Sequence, residues 1–235
     1  MTQLKILLKQ SKKCSKFMPD IHSEIKYSLE IETAINSKKA QIGFNHTNWS
    51  DEDLEKVRVS IRTFYTKEQV GVCAYSKQNV STTSALNCHV EHIVPKSKYL
   101  DFIFTPKNLC VICADCNTIK REQETLGTIP NTITGASTRQ QYPRTPNAFK
   151  IVHPHFDIYE DNILITNGYY IDKTPKGHFT IGACKLNRKL HEFGWEVTDI
   201  NDATVTETMN KYLDEKDPIK RNSYLTKLKK QLILT

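Results

Sequence analysis

Along the first third of the chain the apolar residues recur at helical spacing. "LKILLKQ" and "IHSEIKYSLEIETAI" each read as a helix. "NWSDEDLEKVRVSIRTFY" predicts a longer one: Ser50 is placed to cap, Asp51, Glu52 and Asp53 suit the first turn, and Leu54, Val57, Ile61, Phe64 and Tyr65 fall on one face. The period then changes. "VGVCAYS" predicts a short strand ending in a tight turn, and "NCHVEHIV" predicts a second strand stopped by Pro95. "ADCNTIKREQET" lacks Gly and Pro and predicts a helix.

Residues 125–149 show no periodicity and read as a long loop or linker, while "NILITNGYYIDKT" predicts a hairpin turning at Asn167-Gly168. "GACKLNRKLHEFG", "DATVTETMNKYLDE" and "IKRNSYLTKLKKQLIL" predict the closing helices. The pattern as a whole predicts an α+β, mainly helical protein in three parts: a helical region over 1–66, a strand-loop-helix core over 67–125, and an extension over 126–235.

Charge narrows the choice of partner. The 235 residues hold 33 Lys and Arg against 26 Asp and Glu, a formal charge of +7, which favours polyanions because cations near phosphates release condensed counterions. Lysines crowd both ends, and a shorter basic set, Lys96, Lys98, Lys107, Lys120 and Arg121, surrounds the middle of the chain. No run is long and apolar enough to span a membrane, so a cytoplasmic protein is expected. Seven cysteines form no even framework, and Cys73, Cys88, Cys110, Cys113 and Cys116 cluster in one region; in a reducing compartment that favours metal binding over disulfides. The competing reading is that they are small buried apolar residues.

The chemistry concentrates in "HVEHIVPKSKYLDFIFTPKNLCVICADCNTIKRE", residues 89–122. Phosphodiester hydrolysis needs a base for water and a divalent cation against developing charge. Glu91 and Asn117 offer hard oxygens suited to Mg2+ or Mn2+, His92 offers an imidazole, and Asn108 is placed to hold a neighbouring group. Lys96, Lys98, Lys120 and Arg121 are candidates for DNA phosphate contacts, against the alternative of a solvated rim. His89 reads better as a surrounding histidine than as a ligand, and "HPHFD" (His153, His155, Asp157) as a packing turn rather than a second metal site.

This set, "HVEH…N…CxxCN", resembles the HNH endonuclease motif of the ββα-metal fold over residues 70–122. The resemblance implies a central ββα-metal nuclease core with flanking helices and a C-terminal hairpin. It implies Glu91 and Asn117 as ligands of the catalytic ion, His92 as general base and Asn108 as the residue that orients it. Zinc-bearing members pair two CxxC motifs in a tetrahedral S4 site. Here Cys113 and Cys116 supply the second pair, but Cys73 is followed by Ser76 where the first pair needs a cysteine. Either Cys88, Cys110 or a histidine fills the fourth place, or the site holds no zinc.

"CHVEHIVPKS", with "HPHFDIYEDNIL" and "TIGACKLNRKL" downstream, also loosely resembles the HNH subunits of Septu and retron-linked anti-phage systems. That resemblance implies an ATPase partner of ABC or SMC-like type, with DNA as substrate. The alternative is a non-catalytic nucleic-acid-binding or regulatory subunit built on the same fold.

Overall fold

The computed structural model describes residues 18–127, 141–166, 168–193 and 203–233. The first predicted helix, "LKILLKQ", and the turn residue Asn167 lie outside them. Described elements make an α+β fold, about half helical, with two small antiparallel sheets. None of the described helices is long and apolar enough to cross a membrane.

Helix α1 spans Leu29–Lys39 and α2 spans Glu55–Glu68. The predicted helix from Ile21 therefore starts later: Ser28 caps α1 through Ile31 N, while Ile21 and Ile25 lie in irregular chain whose N–H groups donate to Pro154 O and Tyr65 Oη. Ser50 likewise does not cap. Asn45 caps a short 3-10 turn over His46–Ser50, and a second turn, Glu52–Leu54, leads into α2. The predicted face of α2 is correct: Leu54, Val57, Ile61 and Tyr65 are at most 1 % exposed, and Phe64 packs beside them.

Strand β1, His89–His92, pairs antiparallel with β2, Leu109–Ile112, placing Glu91 opposite Cys110 and His92 opposite Leu109. Helix α3, Ala114–Lys120, follows directly. The strand expected at "VGVCAYS" does not form. Val70, Gly71 and Lys77 all have positive φ, incompatible with an extended run, so the segment makes one bridge, Val72 to Asn79, and a tight turn. β2, which lies between the predicted elements "NCHVEHIV" and "ADCNTIKREQET", pairs with β1 in its place. Its outer edge is closed by the Gln69 side chain, which donates to Val111 O at 2.8 Å and accepts from Val111 N at 2.7 Å. Helix α3 is also shorter than predicted, ending where Arg121 turns to φ 47°.

A one-turn helix α4, Tyr159–Asn162, precedes the hairpin of β3, Ile163–Thr166, and β4, Tyr169–Asp172, which forms as predicted. Helix α5, Pro175–Ala183, and α6, Arg188–Phe193, replace the single helix expected at "GACKLNRKLHEFG". Lys185, at φ 44°, breaks it immediately after Cys184. Helices α7, Ala203–Asp214, and α8, Pro218–Ile233, pack on each other.

One core cluster spans the three parts read from sequence, while the closing helices pack in a separate one around Leu190, Met209 and Leu228. The first joins Ile31 and Ile61 from the N-terminal helices, Ile93 and Val111 from the sheet, and Ile151, Ile163 and Leu186 from the extension. Burying this continuous apolar surface is the main force holding the β1–β2–α3 unit against α2.

Candidate functional site

The walls of one cleft of about 340 Å³ come from the end of β1, the start of the following loop, α2 and α3. Glu91, His92 and Asn117 all line it, with His89, Lys96 and Arg121 nearby. Their convergence follows from the local fold: β1 delivers Glu91 and His92 at its C-terminal end, and α3 packs on β1 so that Asn117 faces them.

His92 is buried and its ring meets Trp49 edge-on at 4.5 Å. Its Nε2 lies 3.0 Å from Ile103 O. A carbonyl only accepts, so this bond places the proton on Nε2 and leaves Nδ1 as the basic nitrogen. Burial, reinforced by the Lys96 charge, pushes His92 down to about 3, so the ring is neutral at physiological pH.

Asn108 does not touch the imidazole. Fully buried, it accepts from Val94 N at 2.7 Å and donates to Val94 O and Phe102 O, each at 3.1 Å. These bonds pin the two arms of the loop next to Ile103, the residue whose carbonyl holds His92. Its connection to the histidine thus runs through the backbone.

Glu91 is 6 % exposed and its Oε1 is ion-paired with Lys120 Nζ. Lys120, expected on the phosphate-facing rim, is instead fully buried, reaching back from the end of α3 to Glu91 and to His92 O at 3.4 Å. A buried ammonium needs a carboxylate partner, and that demand outweighs any rim position. Glu91 Oε1 has this ion pair and no hydrogen bond among the described residues, and the half-buried Asn117 carboxamide lines the same cleft. A carboxylate and a carboxamide on one cleft wall fit a hard divalent cation.

Of the other expected phosphate contacts, Lys96 and Arg121 line the cleft, whereas Lys98 is exposed outside it. His89 lines the cleft with Nε2 held 3.1 Å from Leu86 O. Residues missed in the sequence include Arg58 and Arg62, spaced one helical turn apart on α2. Arg58 is occupied by Glu55 and by the Trp49 and Asp51 carbonyls. The Nε of Arg62, by contrast, is buried with no hydrogen-bond partner among the described residues. Their i,i+4 spacing on the polar side of a strongly patterned helix was the available signal.

A second cluster lies in the core. Cys73, Cys113 and Cys116 are buried with sulfurs within 4.8 Å of one another, an arrangement able to hold a metal ion. Cys88, offered as a fourth ligand, is not in it; its Sγ lies 3.3 Å from Thr66 Oγ1. Cys110 sits opposite Glu91 in the sheet and is also outside the cluster. "HPHFD" is a packing turn: His153 bonds Tyr142 Oη at 2.8 Å between Phe149 and Phe156, and His155 Nε2 lies 2.8 Å from Leu109 O.

A scan against protein-family models finds no match to this chain. A search of curated proteins likewise finds no match.

Proposed function

We propose that the chain is a divalent-metal-dependent endonuclease of HNH type that hydrolyses DNA phosphodiester bonds. The observation that carries this reading is the single cleft that gathers Glu91, Asn117 and the neutral His92 beneath Arg62, Lys96 and Arg121. Glu91 Oε2 and the Asn117 carboxamide oxygen would hold Mg2+ or Mn2+. Bound there, the ion supplies the positive charge that offsets the charge developing on the phosphate and the leaving oxygen.

The remaining work falls to the chain itself. Nδ1 of His92 accepts the proton of the attacking water, while Ile103 O, fixed through Asn108, keeps the other nitrogen protonated and the ring aimed. A base held near 3 is weak, but the negative phosphate entering beside it raises its proton affinity during the reaction. Lys120 neutralises the second oxygen of Glu91 and fixes that carboxylate's rotamer. Arg62, Lys96 and Arg121 draw the phosphate backbone in without reading sequence.

Supercoiled plasmid incubated with the purified chain in Mg2+, Mn2+ or EDTA tests the reading. Cleavage is expected with either ion, none with EDTA, and a large loss in Asn117→Ala. Equal cleavage in EDTA, or by the Asn117 variant, removes the metal from the mechanism.

A further inference from the structure

A second groove, of about 480 Å³, adjoins the cleft and shares Arg62 and Cys88 with it. Arg62, Thr63, Thr66 and Lys67 on the solvent side of α2 form one wall, and the loop from Ser81 to Ser84 forms the other. We infer that this groove is a second nucleic-acid site, which takes the DNA strand running on from the scissile phosphate and holds it by its phosphates and sugars. The inference rests on the nuclease reading for the identity of the ligand, and it uses neither Glu91, His92 nor Asn117.

The lining has the chemistry of a phosphodiester clamp. Two cations and six hydroxyl-bearing side chains border the groove, and among the described residues that line it there is no carboxylate. Arg, Lys, Ser and Thr side chains are those that position a nucleic acid through phosphate and sugar oxygens, without reading its bases. Arg62 stands where the two cavities meet, and its Nε is buried with no hydrogen-bond partner among the described residues. A phosphate passing from cleft to groove supplies that partner.

The loop wall is braced from within. Ser81 Oγ accepts from Thr83 N at 3.3 Å and from Ser84 N at 2.8 Å, while Ser81 N donates to Asn87 O at 3.1 Å. Asn87 Oδ1 accepts from Ala114 N at 3.1 Å, which ties the loop to the start of α3. The 3-10 turn Ala85–Asn87 touches both cavities, since Ala85 lines the groove and Leu86 O holds His89 in the cleft. At the α2 end the groove carries a strained residue. Val70 has φ 52°, where a β-branched side chain is strongly disfavoured and glycine is usual after a helix. It is 85 % exposed, so burial does not offset the strain. Backbone strain that packing does not explain is characteristic of ligand-contacting positions, and an apolar side chain held open on the rim fits the face of a deoxyribose.

Binding of a fluorescein-labelled DNA duplex to the full chain in EDTA, followed by anisotropy at several salt concentrations, tests the groove apart from cleavage. Lys67→Ala should weaken binding several-fold and lower the slope of log affinity against log salt by about 1. Thr63→Glu, which sets a carboxylate on the groove wall, should also weaken it, whereas Lys39→Ala, exposed on α1 and outside both cavities, should leave it unchanged. Val70→Gly suits the left-handed backbone, so it should keep or gain stability in urea while binding DNA more weakly, a combination that a purely structural role does not produce. Wild-type affinity in both Lys67→Ala and Thr63→Glu, or a wild type that binds no duplex, overturns the inference. The two readings separate cleanly: these binding losses in a chain that cleaves no plasmid support the groove and remove the nuclease, while normal cleavage with unchanged binding in both variants removes the groove alone.

Discussion

Replacing Glu91 by Gln leaves the Lys120 ammonium, 0 % exposed, facing a neutral amide in the protein interior. Removing one partner of a buried ion pair costs about 3–5 kcal/mol, because the remaining charge keeps its desolvation penalty and loses its compensation. Lys120→Met strands the carboxylate instead, at a somewhat smaller cost, since Glu91 borders the cleft and retains access to water. The pair removed together, Glu91→Gln with Lys120→Met, should cost only about 1 kcal/mol, as the methionine stem follows the lysine's path through the core. Urea denaturation followed by tryptophan fluorescence, extrapolated linearly to water, gives each stability. The expected coupling, the two single costs together less that of the pair, is roughly 4 kcal/mol or more. Additive single changes would show that the contact does not hold the carboxylate, and the role given to Lys120 would fall. The same series protects the functional test, because a Glu91 variant assayed where it is partly unfolded loses activity for the wrong reason.

Other expectations follow from the same geometry. Arg62→Ala should weaken DNA binding several-fold and reduce the slope of log affinity against log salt by about 1, measured by fluorescence anisotropy at several ionic strengths; an unchanged slope would remove Arg62 from the phosphate path. The neutral burial of His92 makes the fold acid-sensitive. Its folded value near 3 lies below the unfolded value, so this stabilisation is complete above about pH 6.5 and is lost as pH falls toward 3, on the order of 5 kcal/mol in all. His155, pushed down to about 4 by burial, adds to the same window. Denaturation curves at pH 7 and pH 5 should show wild type losing more stability than His92→Phe, and equal losses would contradict the assignment. Asn108→Ala should cost about 2 kcal/mol or more by leaving buried Val94 and Phe102 backbone groups unsatisfied, and should depress cleavage at temperatures where the variant remains folded.

How much of this was legible follows from which forces act locally. The α2 face and the hairpin after Asn162 were readable because helical period and turn chemistry are written in neighbouring residues. The gathering of Glu91, His92 and Asn117 in one cleft was readable from the motif they resemble. β2 was missed: "LCVI" is a short apolar run buried on all positions, which periodicity alone does not mark as a strand. The false strand at "VGVCAYS" has good local composition, and only the left-handed residues around it and the Gln69 clamp on β2 exclude it. The role of Lys120 was missed because it is set by a partner 29 residues earlier in the chain, Glu91, and no local pattern carries such a pairing.

The nuclease reading rests finally on His92. Cleavage of supercoiled plasmid by wild type and by His92→Ala, side by side in Mg2+ and Mn2+ with matched folding by circular dichroism, measures that role directly. The predicted result is nicked or linear product from wild type and a loss of two or more orders of magnitude in the variant, about what removal of a general base costs. Cleavage by folded His92→Ala at the wild-type rate, or intact plasmid with wild type in both ions, would contradict it.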